Sequence, residues 1–438
     1  MTTFKNGLYT ELLELRQHPE LPVRGEGIRV AIIDTGISRK HPDMRDRVVK
    51  SLCFRAAKKE MHYKEYMVDN TGKNGHTDPV SHGTTVASVV AHARRDVQIN
   101  GQKYTIAGVA PEAQLYDLRV VPDDSKKINF DPETALRGAL QWCWDQPSEL
   151  RPHIINLSFG GDMHPLDPKD FSKDLKDFTE SERKSVYYYI KLLAREGVII
   201  VTSMANDRVD IDEKLCIIKK NLYASNQTPK DVAHNHHVLK SWSDHGNKET
   251  PPSNYPEVIV VGSVYKYENV YFKSHYNRVN ELVDVFCPGQ NVVTCLSPDY
   301  TGGLAEKNIS MDSSAPYCLK IGNSYATPYL VGYIALVLSY LKKVKKLDQF
   351  PCLPMSDLLR LLRKYSRDGV CLVNAEIFDD PYWRRVPKAD ADALAPTGKL
   401  PVPEYKTSRS TPVPIHQHAP QIYPAQWGGY FGMWRAPY

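Results

Sequence analysis

The sequence lacks the paired cysteines that mark structural zinc sites. Its eight cysteines are scattered singly and no C-x-x-C occurs, so the ligand spacing of a zinc cage is missing. Most of the cysteines lie within apolar runs, such as FCPG and QWCW. That setting is typical of buried, reduced thiols, which is what we expect of them here.

An excess of charge and a long apolar run are also missing. The 56 basic side chains are nearly balanced by 51 acidic ones, for a net charge of +5, which gives no support to nucleic-acid binding. The longest apolar stretch, Tyr329 to Leu341, is shorter than the ~20 residues that span a bilayer. The N-terminal residues contain no apolar signal core. We therefore expect an intracellular, cytoplasmic protein that binds neither nucleic acid nor membrane.

Short apolar runs are present instead, with the β-branched character of strands buried on both faces of a sheet. They are IRVAII before Asp34, QLYDLRVV (114–121), HIINLSF (153–159), VIIVTS (198–203) and VIVVGSV (258–264). Helical patterns lie between them, and the alternation predicts an α/β fold with a mostly parallel central sheet. Ligands of such sheets bind at the carboxyl ends of the strands.

The helical patterns carry their own start and stop signals. One begins at His82, and another has Asp131 as its N-cap with Pro132 at its first position. A third runs from about residue 175 to residue 196 and is stopped by Gly197. We expect these helices to cover both faces of the sheet.

Composition divides the chain into an N-terminal extension (1–25), one large domain (26–378) and a tail (379–438). The tail holds ten prolines mixed with tyrosine and tryptophan, which predicts an extended, flexible segment that binds a protein partner. A polar stretch at about 207–256 interrupts the domain pattern and is interpreted as an insertion. Its histidines do not have a metal-ligand spacing, so a solvated loop is expected there; they are His234, His236, His237 and His245.

Three short segments supply an acid, a base and a nucleophile: IIDTGI with Asp34, SHGTTVAS with His82, and GNSYATP with Ser324. Serine is a weak nucleophile until a base takes its proton, and the histidine that does so needs a carboxylate to orient it. Read alone, D-T-G is also the half-site of an aspartic protease. That interpretation requires a second copy, which the sequence does not contain, and it leaves HGTTVA unexplained.

The three segments together resemble the motifs of the subtilisin-like serine peptidases (subtilases, peptidase S8). IIDTG and HGTTVA match the family patterns, and GNSYATP matches the third with Asn323 for the usual threonine and Tyr325 for the usual methionine. The resemblance implies a three-layer subtilisin-like fold over roughly residues 26–378. It implies that Asp34 orients the base, that His82 is the general base and acid, and that Ser324 forms the acyl-enzyme.

Further positions follow from the same resemblance. Asn206, at the end of VIIVTSMAN, corresponds to the family's oxyanion asparagine. The segments that flank the substrate backbone correspond to Ser158, Phe159, Gly160 and Gly161, and to Ser203, Met204 and Ala205.

Departures from the family pattern limit what is carried over. Asp43 matches one calcium ligand, but the other ligands have no clear counterpart, so no metal or cofactor is expected. Little sequence precedes Asp34, so a member without a pro-region is expected.

The sequence thus predicts a serine endopeptidase that acts on polypeptides through an Asp-His-Ser triad. The alternative is a catalytically silent relative that serves as a binding or regulatory module in intracellular signalling or defence.

Overall fold

The computed structural model describes residues 21–55, 62–71, 77–99, 102–121, 131–159, 173–204, 255, 257–267, 270–273, 283–290, 292–301, 316–345 and 353–385. Thirteen strands lie in these ranges. In chain order they are β1 (Arg29–Asp34), β2 (Val48–Phe54), β3 (Met67–Asp69), β4 (Arg95–Ile99), β5 (Gln102–Ile106), β6 (Gln114–Arg119), β7 (Ile154–Leu157), β8 (Ile199–Ser203), β9 (Val258–Tyr267), β10 (Val270–Lys273), β11 (Val285–Pro288), β12 (Val292–Cys295) and β13 (Tyr317–Lys320).

Nine of these strands form one sheet in the order β10-β9-β8-β7-β1-β6-β2-β3, with β11 paired to β9. Its central pairs are parallel, and the two antiparallel pairs involve β10 and β3. From β1 the chain first builds one side of the sheet and then returns to β7 on the other side. The carboxyl ends of β1 and β7 therefore flank a topological switch point, where ligand sites of open α/β sheets form.

Helices cover the sheet and begin where the sequence supplies a cap or a proline. The α-helices are α1 (Pro42–Arg45), α2 (His82–Ala91), α3 (Pro132–Asp145), α4 (Val186–Arg195), α5 (Asn323–Lys345), α6 (Met355–Lys364) and α7 (Tyr382–Arg385), and 3₁₀ turns span Tyr63–Glu65, Leu175–Asp177, Glu182–Lys184 and Ala375–Asp379. The Asp131 side chain accepts from the N–H of Thr134 to cap α3, as its sequence predicts.

Two hydrophobic cores lie on the opposite faces of the sheet. Alternate residues of β1 enter different cores: Val30 and Ile32 pack with α2 and α5, whereas Ala31 and Ile33 pack with α3 and α4. Successive strand side chains point to opposite faces, so both faces of β1 are covered by helices. The predicted α/β architecture, with helices on both faces of a mostly parallel sheet, is confirmed.

Helix α5 is long and apolar enough to cross a membrane by length and composition alone. However, 94% of the residues in its most apolar window are buried inside the protein. Its apolar residues therefore belong to the core, as its position between α2 and the sheet requires.

The structure corrects three of the predicted boundaries. The helix predicted from about 175 to 196 is wrong in its first half, where 3₁₀ turns replace it and α4 begins only after the N-cap Ser185. Val23 is already 1% exposed and part of the core, so the domain begins before residue 26. At the other end Trp383 is 3% exposed, so the domain extends past residue 378.

Contacts on the last described residues show why they belong to the domain. Asp380 accepts from Lys364 Nζ and from the Tyr365 hydroxyl, at 2.5 and 2.7 Å, and the Trp383 indole donates to the carbonyl of Ile377. The remainder of the predicted tail, 386–438, and nearly all of the predicted insertion lie outside the described residues. Within the described residues, the six cysteines are buried free thiols as predicted: Cys53, Cys143, Cys287, Cys295, Cys318 and Cys371.

Candidate active site

Asp34 and His82 meet at the carboxyl end of β1. Asp34 is the last residue of that strand and 2% exposed, and His82 is the first residue of α2. The Nδ1 of His82 lies 2.8 Å from Oδ1 of Asp34. A carboxylate can only accept, so Nδ1 carries the hydrogen, and in the neutral imidazole Nε2 then keeps its lone pair. This tautomer is the one that a general base requires.

Two glycines allow α2 to approach the strand end this closely. A Cβ on Gly83 would lie 2.2 Å from the carbonyl oxygen of Gly36 and 3.1 Å from Cβ of Asp34. Gly36 itself has a φ of 117°, which is a region that residues with a Cβ rarely enter. The glycines of IDTGI and SHGTT are therefore required by the backbone contact that sets the distance from Asp34 to His82.

A second buried carboxylate, Asp78, holds the start of α2 in place. Its oxygens accept from the N–H and hydroxyl of Thr84, at 2.9 and 2.6 Å, and from the N–H of Ser81 at 2.9 Å. The Thr35 hydroxyl, next to Asp34, also donates to it at 3.0 Å. Asp78 thus connects the strand end to the helix that carries His82.

Ser81, immediately before His82, has a φ of 67°, which is strained for a residue with a Cβ. Its N–H donates to Asp78, and its hydroxyl accepts from the N–H of Ser297 at 2.8 Å. These bonds hold a backbone conformation that the residue would not adopt alone.

The charges around His82 act on its protonation. Burial disfavours the charged ring, but the carboxylates of Asp34 and Asp78 outweigh burial and raise the pKa of His82 above its usual 6.5, while Lys320 opposes them. Burial, together with the nearby Asp34 charge, raises the pKa of the Asp78 carboxyl. Two buried carboxylates close to one imidazole therefore favour its protonated form.

Ser324 is the second residue of α5, so its backbone N–H is one of those at a helix start that have no acceptor within the helix. Ser324 and Ser158 exchange hydrogen bonds, each side chain donating to the backbone carbonyl of the other residue. The Ser324 hydroxyl donates to the Ser158 carbonyl and the Ser158 hydroxyl donates to the Ser324 carbonyl, both at 2.9 Å. The Asn156 amide in turn donates to the Ser158 hydroxyl at 2.9 Å.

Pro328 explains why the Ser324 carbonyl accepts from a side chain. In an α-helix that carbonyl would accept from the N–H four residues later, but Pro328 occupies that position and has no N–H. Ser158, which directly follows β7, supplies the missing donor. The proline of GNSYATP thus ties the start of α5 to the end of a neighbouring strand.

Tyr325 packs beside His82. Its side chain is 5% exposed and its ring centroid lies 6.0 Å from that of His82, at an interplanar angle of 51°. The ring limits where the imidazole can swing.

The remaining predicted site residues fall into two groups. Four of them lie at the ends of the adjacent strands β7 and β8: Ser158, Phe159, Ser203 and Met204. Of these, Ser158 contacts Ser324 directly. Gly160, Gly161, Ala205 and Asn206 lie outside the described residues. The sequence analysis did not identify Asp78 or Asn156, although the position of Asp78 in DPVSHGT, four residues before His82, was a usable signal.

The surroundings of Asp43 do not fit a calcium ion. Its two oxygens accept from Arg95 Nε, at 2.8 Å, and from the hydroxyl of Tyr317. The other potential ligands in the cluster are His41 and Cys295, whereas Ca²⁺ takes six to eight oxygens. Burial and the charge of Asp43 raise the pKa of the Cys295 thiol, and a thiol is not among the oxygen ligands that Ca²⁺ takes.

Comparison with known proteins shows which family the chain resembles. The model of the "Subtilase family" matches residues 25–359. The major intracellular serine protease of Bacillus subtilis (strain 168) is 24% identical over 319 residues, which are 73% of this chain and 70% of that protein. The intracellular serine protease of Paenibacillus polymyxa is 24% identical over 327 residues, or 74% and 71% of the two chains.

Among solved structures, the fold is similar to that of fervidolysin from Fervidobacterium pennivorans, a keratinolytic enzyme related to subtilisin. The TM-score is 0.51 at 19% sequence identity, over 85% of this chain and 44% of fervidolysin. The chain thus spans less than half of fervidolysin, and the likeness shows the subtilisin-like fold alone. The family match, which covers most of the domain, shows more: the chain belongs to the subtilase family of serine proteases.

Proposed function

We propose that the chain is an endopeptidase that cleaves polypeptides by acyl transfer to Ser324, with His82 as base and Asp34 as its orienting acid. The observation that carries the proposal is the 2.8 Å bond from His82 Nδ1 to the buried Asp34, because it leaves Nε2 free to accept a proton. The ring of Tyr325, which follows Ser324 in the chain, lies 6.0 Å from that of His82, and this supports the pairing of His82 with Ser324.

In the proposed reaction the Ser324 oxygen attacks the carbonyl carbon of the scissile bond while its proton passes to His82 Nε2. In the structure the hydroxyl hydrogen is engaged with the Ser158 carbonyl, so that bond must be exchanged for one to His82. His82 then protonates the leaving amine, the C–N bond breaks, and an acyl-enzyme remains. Water, activated by His82, releases the acid and restores Ser324.

The oxyanion of the tetrahedral intermediate requires donors. The Ser324 N–H, at the start of α5, is one proposed donor, and the amide of Asn206 is the other. Asn206 follows two residues after Met204, the last described residue beyond β8. Replacing it with leucine should lower kcat by roughly 10²–10³ with little change in KM, and an effect confined to KM would instead assign Asn206 to ground-state binding.

The test of the proposal is labelling and turnover. A fluorophosphonate probe should label the wild type at one site, and Ser324→Ala and His82→Ala should each abolish both labelling and peptide hydrolysis at unchanged melting temperature. Because the groups act as a unit, the double variant should be hardly slower than either single one. A folded wild type that is neither labelled nor active would favour the silent binding module.

Location and partners are proposed on separate grounds. The two relatives named above are called intracellular, and we propose the same location for this protein. The proline- and aromatic-rich residues 386–438 are proposed to bind a protein partner. Deleting them should leave the melting temperature nearly unchanged, because residues 379–385 remain, but should reduce retention of a partner or alter activity on protein substrates; no change in either would contradict the idea.

A further inference from the structure

Asn323, which directly precedes the nucleophile, joins α5 to two strands of the sheet. Its Oδ1 accepts from the N–H of Ser263 at 2.9 Å and from the hydroxyl of the same residue at 2.6 Å. Its Nδ2 donates to the carbonyl of Met204 at 2.8 Å. The residue is fully buried, so these bonds are shielded from water.

The partners of Asn323 lie where the site is assembled. Ser263 is within β9, and Met204 directly follows β8, two residues before the proposed oxyanion donor Asn206. One amide therefore fixes both the start of the helix that bears Ser324 and the strand end that leads to Asn206. A hydroxyl would have to reach both strands from a single oxygen, whereas the amide accepts through Oδ1 from one strand and donates through Nδ2 to the end of the other.

We propose that Asn323 is a positioning residue for the peptidase reaction, which holds the start of α5, and with it Ser324, against the end of β8. The proposal rests on the function proposed above. It explains the departure from the family pattern at this position as a residue that contacts two strands through two separate atoms, rather than as decay of the site. Loss of the amide would let the start of α5 shift relative to β8, and a displacement of about 1 Å can cost on the order of 10²-fold in rate.

The test compares Asn323→Ala and Ser263→Ala with the control Thr327→Val. Thr327 is also buried and its hydroxyl donates to the Asn323 carbonyl at 2.9 Å, but that bond lies within α5 and reaches neither strand. We expect Asn323→Ala to lower kcat and the fluorophosphonate labelling rate by about 10²-fold with KM little changed. Ser263→Ala, which removes one of the three bonds, should lower kcat less, and Thr327→Val should leave kcat near the wild-type value.

The outcomes separate this inference from the proposed function. If the wild type is labelled and Ser324→Ala is not, but Asn323→Ala keeps the wild-type kcat, the positioning role is wrong while the function stands. A loss of kcat in Thr327→Val equal to that in Asn323→Ala would also overturn it, since general loosening of α5 would then suffice. Should Asn323→Ala fail to fold, the kcat of Ser263→Ala decides: a wild-type value contradicts the inference.

Discussion

Asp34 and Asp43 are both almost fully buried, yet the groups around them balance their charges in different ways. Asp43 faces the guanidinium of Arg95 and the hydroxyl of Tyr317. Asp34 accepts from His82 and from the N–H of Thr35. Among the described residues, its second oxygen has no hydrogen-bond partner.

The difference follows from the partner of each carboxylate, which is Arg95 for Asp43 and His82 for Asp34. A permanent cation at Asp43 neutralises the carboxylate and stabilises the fold around it. At Asp34 the cation forms only when His82 takes up a proton, and the second carboxylate, Asp78, adds to the pull on that proton. Among the described residues Asp34 thus has no permanent counterion, which costs stability and, under the proposed mechanism, leaves its charge to act on His82.

Isosteric replacement of the two carboxylates should separate these roles most strongly. Asp34→Asn leaves the shape of the site but presents an amide that no longer holds the required tautomer of His82, so we expect kcat to fall by about 10⁴-fold. Asp43→Asn should leave kcat near the wild-type value and lower the melting temperature instead. Steady-state kinetics and thermal unfolding of both variants check the pair, and equal effects on kcat would end the distinction.

Removing the permanent cation should be the next largest effect. Arg95→Met leaves the Asp43 carboxylate buried without its ion pair, and we expect the free energy of unfolding to fall by about 3 kcal/mol, the lower end for a buried pair because 32% of the Arg95 side chain is exposed. The control is Arg24→Met, which breaks a pair with Glu112 at 4.0 Å whose side chains are 57% and 45% exposed. That change should cost less than ~1 kcal/mol in denaturant unfolding; a similar loss in both variants would show that Arg95 acts only as a surface charge.

The pH dependence of activity tests the Asp34 region of the comparison, where the surrounding charges act on the pKa of His82. His82 must be neutral to act as base, so kcat/KM should fall as the pH drops through its raised pKa. Asp78→Asn removes a charge that raises this pKa, and the acid limb should move to lower pH. Lys320→Met removes a charge that lowers it, and the limb should move to higher pH. Shifts in the same direction for both variants would contradict the electrostatic account.

The smallest expected effect is that of calcium. Because Arg95 and Tyr317 already occupy the Asp43 oxygens, neither EDTA nor added CaCl₂ should change the difference in melting temperature between the wild type and Asp43→Asn. A difference that disappears in EDTA would show that Asp43 binds the metal after all.

The same two regions show what the sequence could predict. Asp34 and His82 were predictable because each lies in a short segment whose glycines and apolar residues indicate the local backbone conformation. Arg95 was not, since it lies 52 positions from Asp43 in the chain and nothing in its own segment points to a buried carboxylate. The roles of Asn323 and Ser158 depend on which strands the sheet topology brings together, and a single segment does not contain that information.

The helix predicted over 175–196 failed for a related reason. The spacing of its apolar residues permitted a continuous helix, but the capping bond from the Tyr188 N–H to the Ser185 hydroxyl starts α4 later. A cap of this kind competes with helix continuation through local hydrogen bonds, which periodicity does not register.

The close contact at Gly83 sets the shortest distance to which the strand end and the helix can approach each other. Since the two backbones touch there, the spacing of Asp34 and His82 depends on main-chain atoms rather than on the volume of any side chain. Side chains beside His82, such as Tyr325, can then differ from those of relatives without altering that spacing. The tolerance of the site to substitution is therefore unequal: wide among these side chains, and almost nil at one glycine.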